Sequence, residues 1–514
     1  MRKIFNFLRS KFFLYSLMII LQFALIAIFV YIFNESSVYF YYSTLVVAVI
    51  TVIYIVNTNM IPEYKIAWIT PILILPIFGV PLYFMLGKKR FGKRKAKEYD
   101  KAHQDIKNFL IQDEVVINKI KNEDRFFSQV ADYVYNICNT KISYGDYIEY
   151  FKVGEEYFSS LVKNLKEAKE YIFLEYFILK EGYMWDSILE ILKQKVKEGV
   201  EIRFLYDDVG SMFDIKENYY KELSNMGIKT LAFSPYRPLI DVQMNNRNHR
   251  KICVIDGKVA FTGGINIADE YINKVERFGH WKDTGVLIKG KGVYNYILTF
   301  IQIWNMQAQN NDKIVEFSKY FDNIEDYNDV NFSSAYSVFF SDTPKDDENL
   351  MENIFLKIID NAKSYVYINT PYLIIDSILF NSLVKAAKSG VDVRIAIPGT
   401  PDKKTIFMLT KAFAHELVKE KVKIYSYNKG FLHAKSFVSD DMYSIVGTAN
   451  LDYRSLYLHF ECGTLIKDEK LANELKEDYL DTLNDCQELS CEILKANVFV
   501  RIARALLRMF APLL

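Results

Sequence analysis

Two segments of this 514-residue chain carry the same chemically active residue types at the same spacing. Each reads His-x-Lys, four residues, Asp, six residues, Gly-x-x-Asn. The first copy consists of His249, Lys251, Asp256, Gly263 and Asn266, and the second of His433, Lys435, Asp440, Gly447 and Asn450. Identical spacing in two places indicates a duplicated half-site, because an incidental His-x-Lys pair would not bring the same following residues with it.

These residue types suit phosphoryl transfer. Side chains two apart on a strand point to the same face, so the histidine and lysine of one copy reach one substrate. Imidazole serves as a nucleophile or general acid near pH 7, lysine neutralises charge on phosphate oxygens, and asparagine offers a neutral donor. Two half-sites placed face to face would hold one phosphate without a metal ion. The sequence has no carboxylate cluster at metal-ligand spacing, which disfavours a two-metal phosphodiesterase.

The elements around the two motifs are repeated as well. An amphipathic helical pattern that leads into an apolar, β-branched and aromatic run begins at Glu156 and again at Glu348. A helix closed by glycine and followed by a buried strand begins at Lys197 and again at Lys388. This alternation predicts an α/β fold of two pseudo-repeated sandwich halves with mixed β-sheets. We place the halves at residues 145–325 and 326–490, after a helical connector at 98–144.

Residues 1–97 predict a membrane anchor. The apolar runs 12–33 and 38–56 read as a helical hairpin, and the first is long enough to cross the roughly 30 Å of bilayer hydrocarbon. A third apolar stretch, 66–86, contains three prolines, each of which removes a backbone donor and bends a helix. We therefore expect this stretch to dip into the membrane and return, or to lie at the interface, and not to cross fully.

Charge and cysteine usage predict the orientation of the chain. Basic residues precede the first apolar run and cluster again at 88–97, and both clusters are expected on the cytoplasmic side near anionic headgroups. The five cysteines match neither a zinc site nor a redox pair, which suits a reducing compartment. The catalytic part is therefore predicted to be cytoplasmic. Residues 491–514 predict an amphipathic helix for the membrane surface, with packing against the protein as the alternative.

The double motif resembles the phospholipase D superfamily, from near Tyr144 to Ser490. This resemblance implies that one histidine attacks the phosphodiester to form a phosphohistidine. The other histidine then protonates the departing alcohol and later activates the incoming hydroxyl. The symmetry of the sequence does not distinguish the two, and analogy with the family assigns His249 as nucleophile and His433 as acid/base.

The resemblance also suggests roles for further residues. Members of the superfamily place a carboxylate downstream that orients each histidine, and the candidates here are Asp283 and Glu461. Asp256 and Asp440 complete the motif, with anchoring of a loop as the alternative to a catalytic role. Many members have Gly-Ser where this chain has Gly-Gly at 263–264 and Gly-Thr at 447–448, so the first copy lacks a hydroxyl there.

Several segments narrow the resemblance to bacterial cardiolipin synthases. They are the N-terminal hairpin, the proline-rich stretch followed by basic residues, TGGINIADEYI after the first motif and NLDYRSLYLHFE after the second. The likeness implies transfer of a phosphatidyl group from one phosphatidylglycerol to another, with release of glycerol and without a cofactor. It also implies a multi-pass protein of the bacterial cell membrane that binds anionic lipids.

Other functions compete with this interpretation. Hydrolysis to phosphatidic acid, or transfer to serine or ethanolamine, differs only in the incoming alcohol, which sequence does not specify. A membrane-tethered nuclease is disfavoured because 64 lysines and arginines against 63 acidic residues give no basic field for a nucleic-acid partner. A non-catalytic lipid-binding scaffold would not require paired histidines.

Overall fold

A computed structural model describes residues 37–87, 92–110, 112–235, 245–321 and 334–513. The first predicted membrane span, 12–33, lies outside these residues. The chain divides into two compact units, Met1–Lys88 and Lys89–Leu514.

The described part of the N-terminal unit is helical. It contains α1 (Ser37–Val56), α2 (Pro62–Ile74) and α3 (Pro76–Leu82), followed by a π-helical turn at Tyr83–Gly87. Because Pro76 has no backbone N–H, it cannot continue α2 and instead begins α3. No helix among the described residues is both long enough and apolar enough for a membrane crossing. The crossings predicted from the sequence therefore stay predictions.

The larger unit begins with three helices, α4 (Lys93–Ile106), α5 (Glu114–Glu123) and α6 (Arg125–Cys138). The carboxylate of Asp113 accepts hydrogen bonds from two first-turn amides of α5, and Asp124 accepts one from α6. Such side chains satisfy amides that have no partner inside the helix. The three helices lie in the region where the sequence predicted a helical connector.

A seven-stranded mixed sheet forms the first half. The strands of this part of the chain are β1 (Ile142–Tyr144), β2 (Tyr147–Phe151), β3 (Tyr171–Tyr176), β4 (Glu201–Asp207), β5 (Lys229–Phe233), β6 (Ile252–Ile255), β7 (Val259–Gly263), β8 (His280–Lys282) and β9 (Gly285–Lys289). Their order in the sheet is β2-β9-β7-β6-β3-β4-β5. Strands β3, β4 and β5 are parallel, and β6, β7, β9 and β2 join by antiparallel pairing. The helices are α7 (Gly154–Glu167), α8 (Tyr183–Lys197), α9 (Asp208–Ser211), α10 (Tyr219–Asn225) and α11 (Val293–Gln307).

A nine-stranded sheet forms the second half. Its part of the chain contains β10 (Tyr336–Asp342), β11 (Tyr365–Asn369), β12 (Leu373–Ile374), β13 (Asp392–Pro398), β14 (Lys423–Tyr427), β15 (Gly430–Leu432), β16 (Ser436–Ser439), β17 (Tyr443–Gly447), β18 (Leu451–Asp452), β19 (Glu461–Lys467) and β20 (Cys486–Leu489). The order is β1-β10-β19-β17-β16-β11-β13-β14-β20. The run β19-β17-β16-β11-β13-β14 repeats β9-β7-β6-β3-β4-β5 with the same directions, which confirms the predicted duplication and the mixed α/β sheets.

The helices of the second half are α12 (Leu350–Asn361), α13 (Ser377–Lys388), α14 (Lys404–Lys419), α15 (Tyr453–Tyr457), α16 (Glu469–Leu483), α17 (Cys491–Leu494) and α18 (Val498–Phe510). One hydrophobic core joins the two halves. It includes Phe173 on β3, Phe300 on α11 and Phe339 on β10, all nearly inaccessible to solvent. Helix α11 is buried on nearly all sides, and its buried residues include the polar side chains of Asn295, Thr299, Gln302 and Asn305.

The aspartate of each motif lies in a tight turn at the end of a strand. Asp256 follows β6 and Asp440 follows β16, both with left-handed backbone torsion (φ of 52° and 53°). Each carboxylate accepts three backbone N–H groups where the first parallel strand of its half begins, those of Lys169, Glu170 and Tyr171 or those of Lys363, Ser364 and Tyr365. The structure thus places both aspartates about 16 Å along the strand from the motif lysine, at about 3.3 Å per residue, and not beside the histidines.

We expect Asp256→Ala to lower the free energy of unfolding by about 2–4 kcal/mol, because three backbone amides lose a charged acceptor and alanine is strained at this torsion. Asp256→Asn is the matched control, since asparagine keeps one acceptor oxygen and tolerates the left-handed region. It should lose less than half as much. Denaturant unfolding of the detergent-solubilised chain measures both. Equal stability of Asp256→Ala and wild type would contradict the anchoring role.

Candidate active site

The two motif histidines lie where the halves meet, and each is held by backbone of the opposite half. The N–H of His249 donates to the carbonyl oxygen of Phe460 (2.9 Å), and the N–H of His433 donates to that of Lys282 (2.7 Å). Strand β15, which precedes His433, pairs in parallel with β8 of the first half. Neither histidine loop is therefore positioned by its own half alone.

The orienting carboxylates cross between the halves in the same way. His249 Nδ1 lies 2.9 and 3.0 Å from the two carboxylate oxygens of Glu461, in the second half. His433 Nδ1 lies 2.6 Å from Asp283 Oδ2, in the first half. Both carboxylates are completely buried. An acceptor at Nδ1 favours the tautomer that carries its proton there, which leaves the Nε2 lone pair of His249 available to a substrate. At His433 the Asp283 acceptor has the same effect and competes with Lys435 Nζ, which lies 2.7 Å from the same Nδ1 atom.

Burial controls the charge state of the histidines. Loss of solvation lowers the pKa of His249 to about 3, although Glu461 opposes this shift. Loss of solvation and the nearby Lys435 ammonium lower the pKa of His433 to about 4, against the opposing effect of Asp283. Both imidazoles are therefore neutral at pH 7 in the free enzyme, as a nitrogen nucleophile must be.

The motif lysines place two amines at the site, and burial lowers their pKa values. Lys251 Nζ donates to the carbonyl oxygen of His249 (2.5 Å), and Lys435 Nζ donates to that of His433. Loss of solvation lowers the pKa of Lys251 to about 7 and that of Lys435 to about 8. Each half-site thus has a cation that a bound phosphate would stabilise, since an opposite charge favours the protonated amine.

The motif asparagines have protein partners. Asn266 accepts a hydrogen bond from Ile178 N–H (3.0 Å) and donates to the hydroxyl of Tyr271 (2.7 Å), whose ring lies edge-on to His433. Asn450 donates to Asp452 Oδ2 (3.2 Å). One N–H of each motif asparagine is therefore engaged within the protein, where Asn266 supports the wall beside His433. Because each side-chain amide has two N–H groups, the contact with phosphate oxygens stays a prediction.

The difference between Gly264 and Thr448 has a steric reason. A Cβ at position 264 would lie 2.0 Å from Asp283 Oδ1, so the first half requires glycine where the carboxylate passes. In the second half the Thr448 hydroxyl donates to Glu461 Oε2 (2.5 Å) and helps to fix it. The hydroxyl that the first copy lacks would occupy the space of the residue that orients His433.

Two polar residues near the site, Arg247 and His459, were missed from the sequence. Arg247 makes a fully buried ion pair with Asp207 (2.7 Å), which also accepts the N–H of Asn248. This pair fixes the loop before His249, so Asp207 acts on the site through the backbone. His459 lies beside Glu461, and its position two residues before a candidate carboxylate on one strand face was the available signal.

Two known protein families match this sequence. The sequence matches the family described as cardiolipin synthase, PLD-like domain, over residues 161–304 and 355–482, and the phospholipase D-nuclease N-terminal family over 46–88. It is 34% identical over 460 residues to a cardiolipin synthase of Staphylococcus aureus (strain N315), covering 87% of this chain and 91% of that one. A cardiolipin synthase 2 of Bacillus anthracis is 32% identical over 462 residues, covering 89% and 88%.

A solved structure shares the fold. The phosphatidylserine synthase of Haemophilus influenzae Rd KW20 has a TM-score of 0.57 at 13% identity, and the match covers 76% of this chain and 98% of that chain. Fold and sequence together define a phosphatidyltransferase built from two phospholipase-D-like halves. The chain belongs to the bacterial cardiolipin synthases of the phospholipase D superfamily.

The histidine pKa values predict a pH dependence of stability. Both folded-state pKa values lie below 6.5, the ordinary value for histidine, so the unfolded chain binds more protons and stability falls as pH decreases through 6.5. Between pH 6.5 and 5, each histidine should cost about 1–2 kcal/mol of unfolding free energy. Denaturant unfolding of wild type and of His249→Gln/His433→Gln should show a shallower slope in the double variant. Equal slopes in wild type and the double variant would refute the assignment.

Proposed function

We propose that this enzyme transfers a phosphatidyl group from one phosphatidylglycerol to the terminal hydroxyl of another, giving cardiolipin and glycerol. The observation that carries the proposal is the crossed pair of imidazoles, each neutral, each oriented by a buried carboxylate of the opposite half and each beside a lysine. Membership of the cardiolipin synthase family supports the choice of substrates.

In the first step His249 Nε2 attacks phosphorus, and the bond from phosphorus to the glycerol headgroup oxygen breaks. The anionic phosphodiester raises the pKa of His433, which then carries the proton that it gives to the departing oxygen. Glu461 stabilises the positive imidazole of the phosphohistidine through Nδ1. Lys251 and Lys435 offset the charge that develops on the phosphoryl oxygens.

In the second step the terminal hydroxyl of another phosphatidylglycerol replaces glycerol. His433, now neutral, accepts its proton, and the hydroxyl oxygen attacks phosphorus as the bond to His249 breaks. Asp283 holds His433 in the same orientation in both steps, so one imidazole acts first as acid and then as base. Cardiolipin leaves, and both histidines return to their starting states.

Product analysis with labelled phosphatidylglycerol in mixed micelles, with EDTA present, tests the reaction. Wild type and the control His415→Gln should form cardiolipin and glycerol in equal amounts, whereas His249→Gln and His433→Gln should each lose at least about 10³-fold in rate. Phosphatidic acid as the main product would indicate a phospholipase D. Transfer of the phosphatidyl group to serine or ethanolamine would indicate a different phosphatidyltransferase. Cleavage of DNA or RNA would indicate a nuclease. If no lipid were turned over, the protein would be a non-catalytic lipid-binding scaffold.

A substrate with a nitrophenolate leaving group decides which histidine is the nucleophile. Nitrophenolate departs without a proton, so a variant that lacks the acid still forms the phosphoenzyme and a variant that lacks the nucleophile does not. We expect His433→Gln to trap label from a phosphatidyl nitrophenyl ester in acid-labile form and His249→Gln to trap none. The reverse pattern would exchange the two roles.

We also propose that the enzyme is a multi-pass protein of the bacterial cell membrane with its catalytic unit in the cytoplasm. The apolar runs 12–33 and 38–56 and the basic cluster 88–97 support this topology. Confinement of enzyme and both lipids to one surface raises their effective concentration.

The C-terminal helix supports a second contact with the membrane. One side of α18 packs on the protein, where Arg504 donates to the carbonyl oxygen of Leu494 (3.1 Å) and Arg508 lies over the ring of Phe413. The other side exposes four apolar residues, Val498, Phe499, Ile502 and Leu506. Phe499 is 83% exposed. An apolar stripe flanked by arginines is typical of a helix that lies at an anionic lipid surface.

A fluorescent probe tests this contact in the full chain reconstituted into phosphatidylglycerol vesicles. We expect an environment-sensitive dye on Phe499→Cys, in a Cys491→Ser background, to shift to the blue and to be quenched by lipids with brominated acyl chains. The control Val115→Cys, 78% exposed on α5, should show neither effect. Identical behaviour of the two probes would exclude a membrane contact for α18.

A further inference from the structure

A third histidine lies beside the His249–Glu461 pair and has no assigned role in the reaction. The Nδ1 atom of His459 is 3.7 Å from Glu461 Oε1, and its ring centre is 5.7 Å from that of His249. The side chain is only 10% exposed, yet neither ring nitrogen has a hydrogen-bond partner among the described residues. Because neither ring nitrogen makes a hydrogen bond to the described residues, both are available to a ligand.

The duplicated half-site shows what is specific to this position. Trp281 precedes Asp283 by two residues, as His459 precedes Glu461, and its ring centre lies 5.3 Å from that of His433. An indole N–H donates hydrogen bonds but coordinates no metal ion. Only the half-site around His249 therefore combines two imidazoles with a carboxylate.

The geometry of these three side chains fits a transition-metal ion. One ligand atom from each of His249, His459 and Glu461 lies within 4.8 Å of the other two. Zinc binds nitrogen and oxygen at about 2.0–2.2 Å, so tetrahedral ligand atoms lie about 3.4 Å apart. The two measured separations from Glu461 Oε1, 2.9 Å to His249 Nδ1 and 3.7 Å to His459 Nδ1, bracket that value.

We propose that His249, His459 and Glu461 form a binding site for a divalent transition-metal ion of the zinc class and that occupation of this site stops phosphatidyl transfer. Two imidazoles and one carboxylate are a donor set that zinc prefers, whereas magnesium and calcium prefer oxygen ligands.

The inhibition follows because a neutral imidazole has only one ring nitrogen with a free lone pair. If the ion binds His249 at Nδ1, the ring proton moves to Nε2, and Nε2 then has no lone pair with which to attack phosphorus. If the ion binds at Nε2, it uses that lone pair directly. This consequence rests on the proposed role of His249, whereas the binding of the ion does not. The ion is an inhibitor and takes no part in the transfer.

Two measurements on the full chain in detergent micelles test the site separately. Titration of metal-free protein with Co²⁺ should give one equivalent with the visible absorption of tetrahedral coordination, displaced by Zn²⁺. In the turnover assay, Zn²⁺ should inhibit wild type, and EDTA should restore the rate. His459→Gln removes one ligand and should weaken both Co²⁺ binding and Zn²⁺ inhibition by at least about tenfold, with the uninhibited rate within about twofold of wild type.

Two further variants make the result decisive. His459→Asn repeats the ligand removal with a smaller side chain, and His415→Gln removes a histidine outside the site and should bind and respond as wild type does. Absence of Co²⁺ binding to wild type, or equal Zn²⁺ inhibition of wild type and both His459 variants, would overturn the proposal. If wild type formed no cardiolipin in EDTA, the proposed function would fail, and the Co²⁺ titration of wild type against His459→Gln would still decide the metal site.

Discussion

The crossed carboxylate–imidazole pairs are the interaction on which the rest of this structure depends. Glu461 belongs to the second half and holds His249 of the first, while Asp283 belongs to the first half and holds His433 of the second. A half alone would contain a histidine without its orienting carboxylate. The two sheets must therefore be held in a fixed relation, which the shared core around α11 and the pairing of β8 with β15 provide.

The same arrangement explains why so much charge is buried at the junction of the halves. Isolated buried charges are unfavourable, and here several lie opposite a partner, as Arg247 does with Asp207. Arg250 lies between the sheets, 3.7 Å from Glu175, and its guanidinium donates to the carbonyl oxygens of Asp342 and Glu461. These contacts link β3, β10 and β19 directly behind the histidines. Removal of solvent from this region is also what lowers the histidine pKa values and keeps both imidazoles neutral.

The two half-sites are similar in plan and different in detail. Glycine at position 264 leaves space for Asp283, whereas the Thr448 hydroxyl donates a hydrogen bond to Glu461. The two carboxylates are therefore accommodated in different ways. Trp281 lies next to one catalytic candidate and His459 next to the other. The two halves thus share one backbone arrangement and differ in the side chains next to each histidine. The half-site that holds His249 has a second histidine, His459, beside its carboxylate.

The sequence by itself determined the duplication, the mixed α/β halves and the two His-x-Lys pairs, because strand alternation and repeated spacing are local properties of the chain. It also singled out Asp283 and Glu461. Tertiary structure decided which carboxylate serves which histidine, since that choice depends on how two sheets pack. It also decided that Asp256 and Asp440 anchor turns, that Asn266 binds Tyr271, and that His459 lies beside Glu461. Those contacts join residues far apart in the chain, and no local pattern encodes their distances.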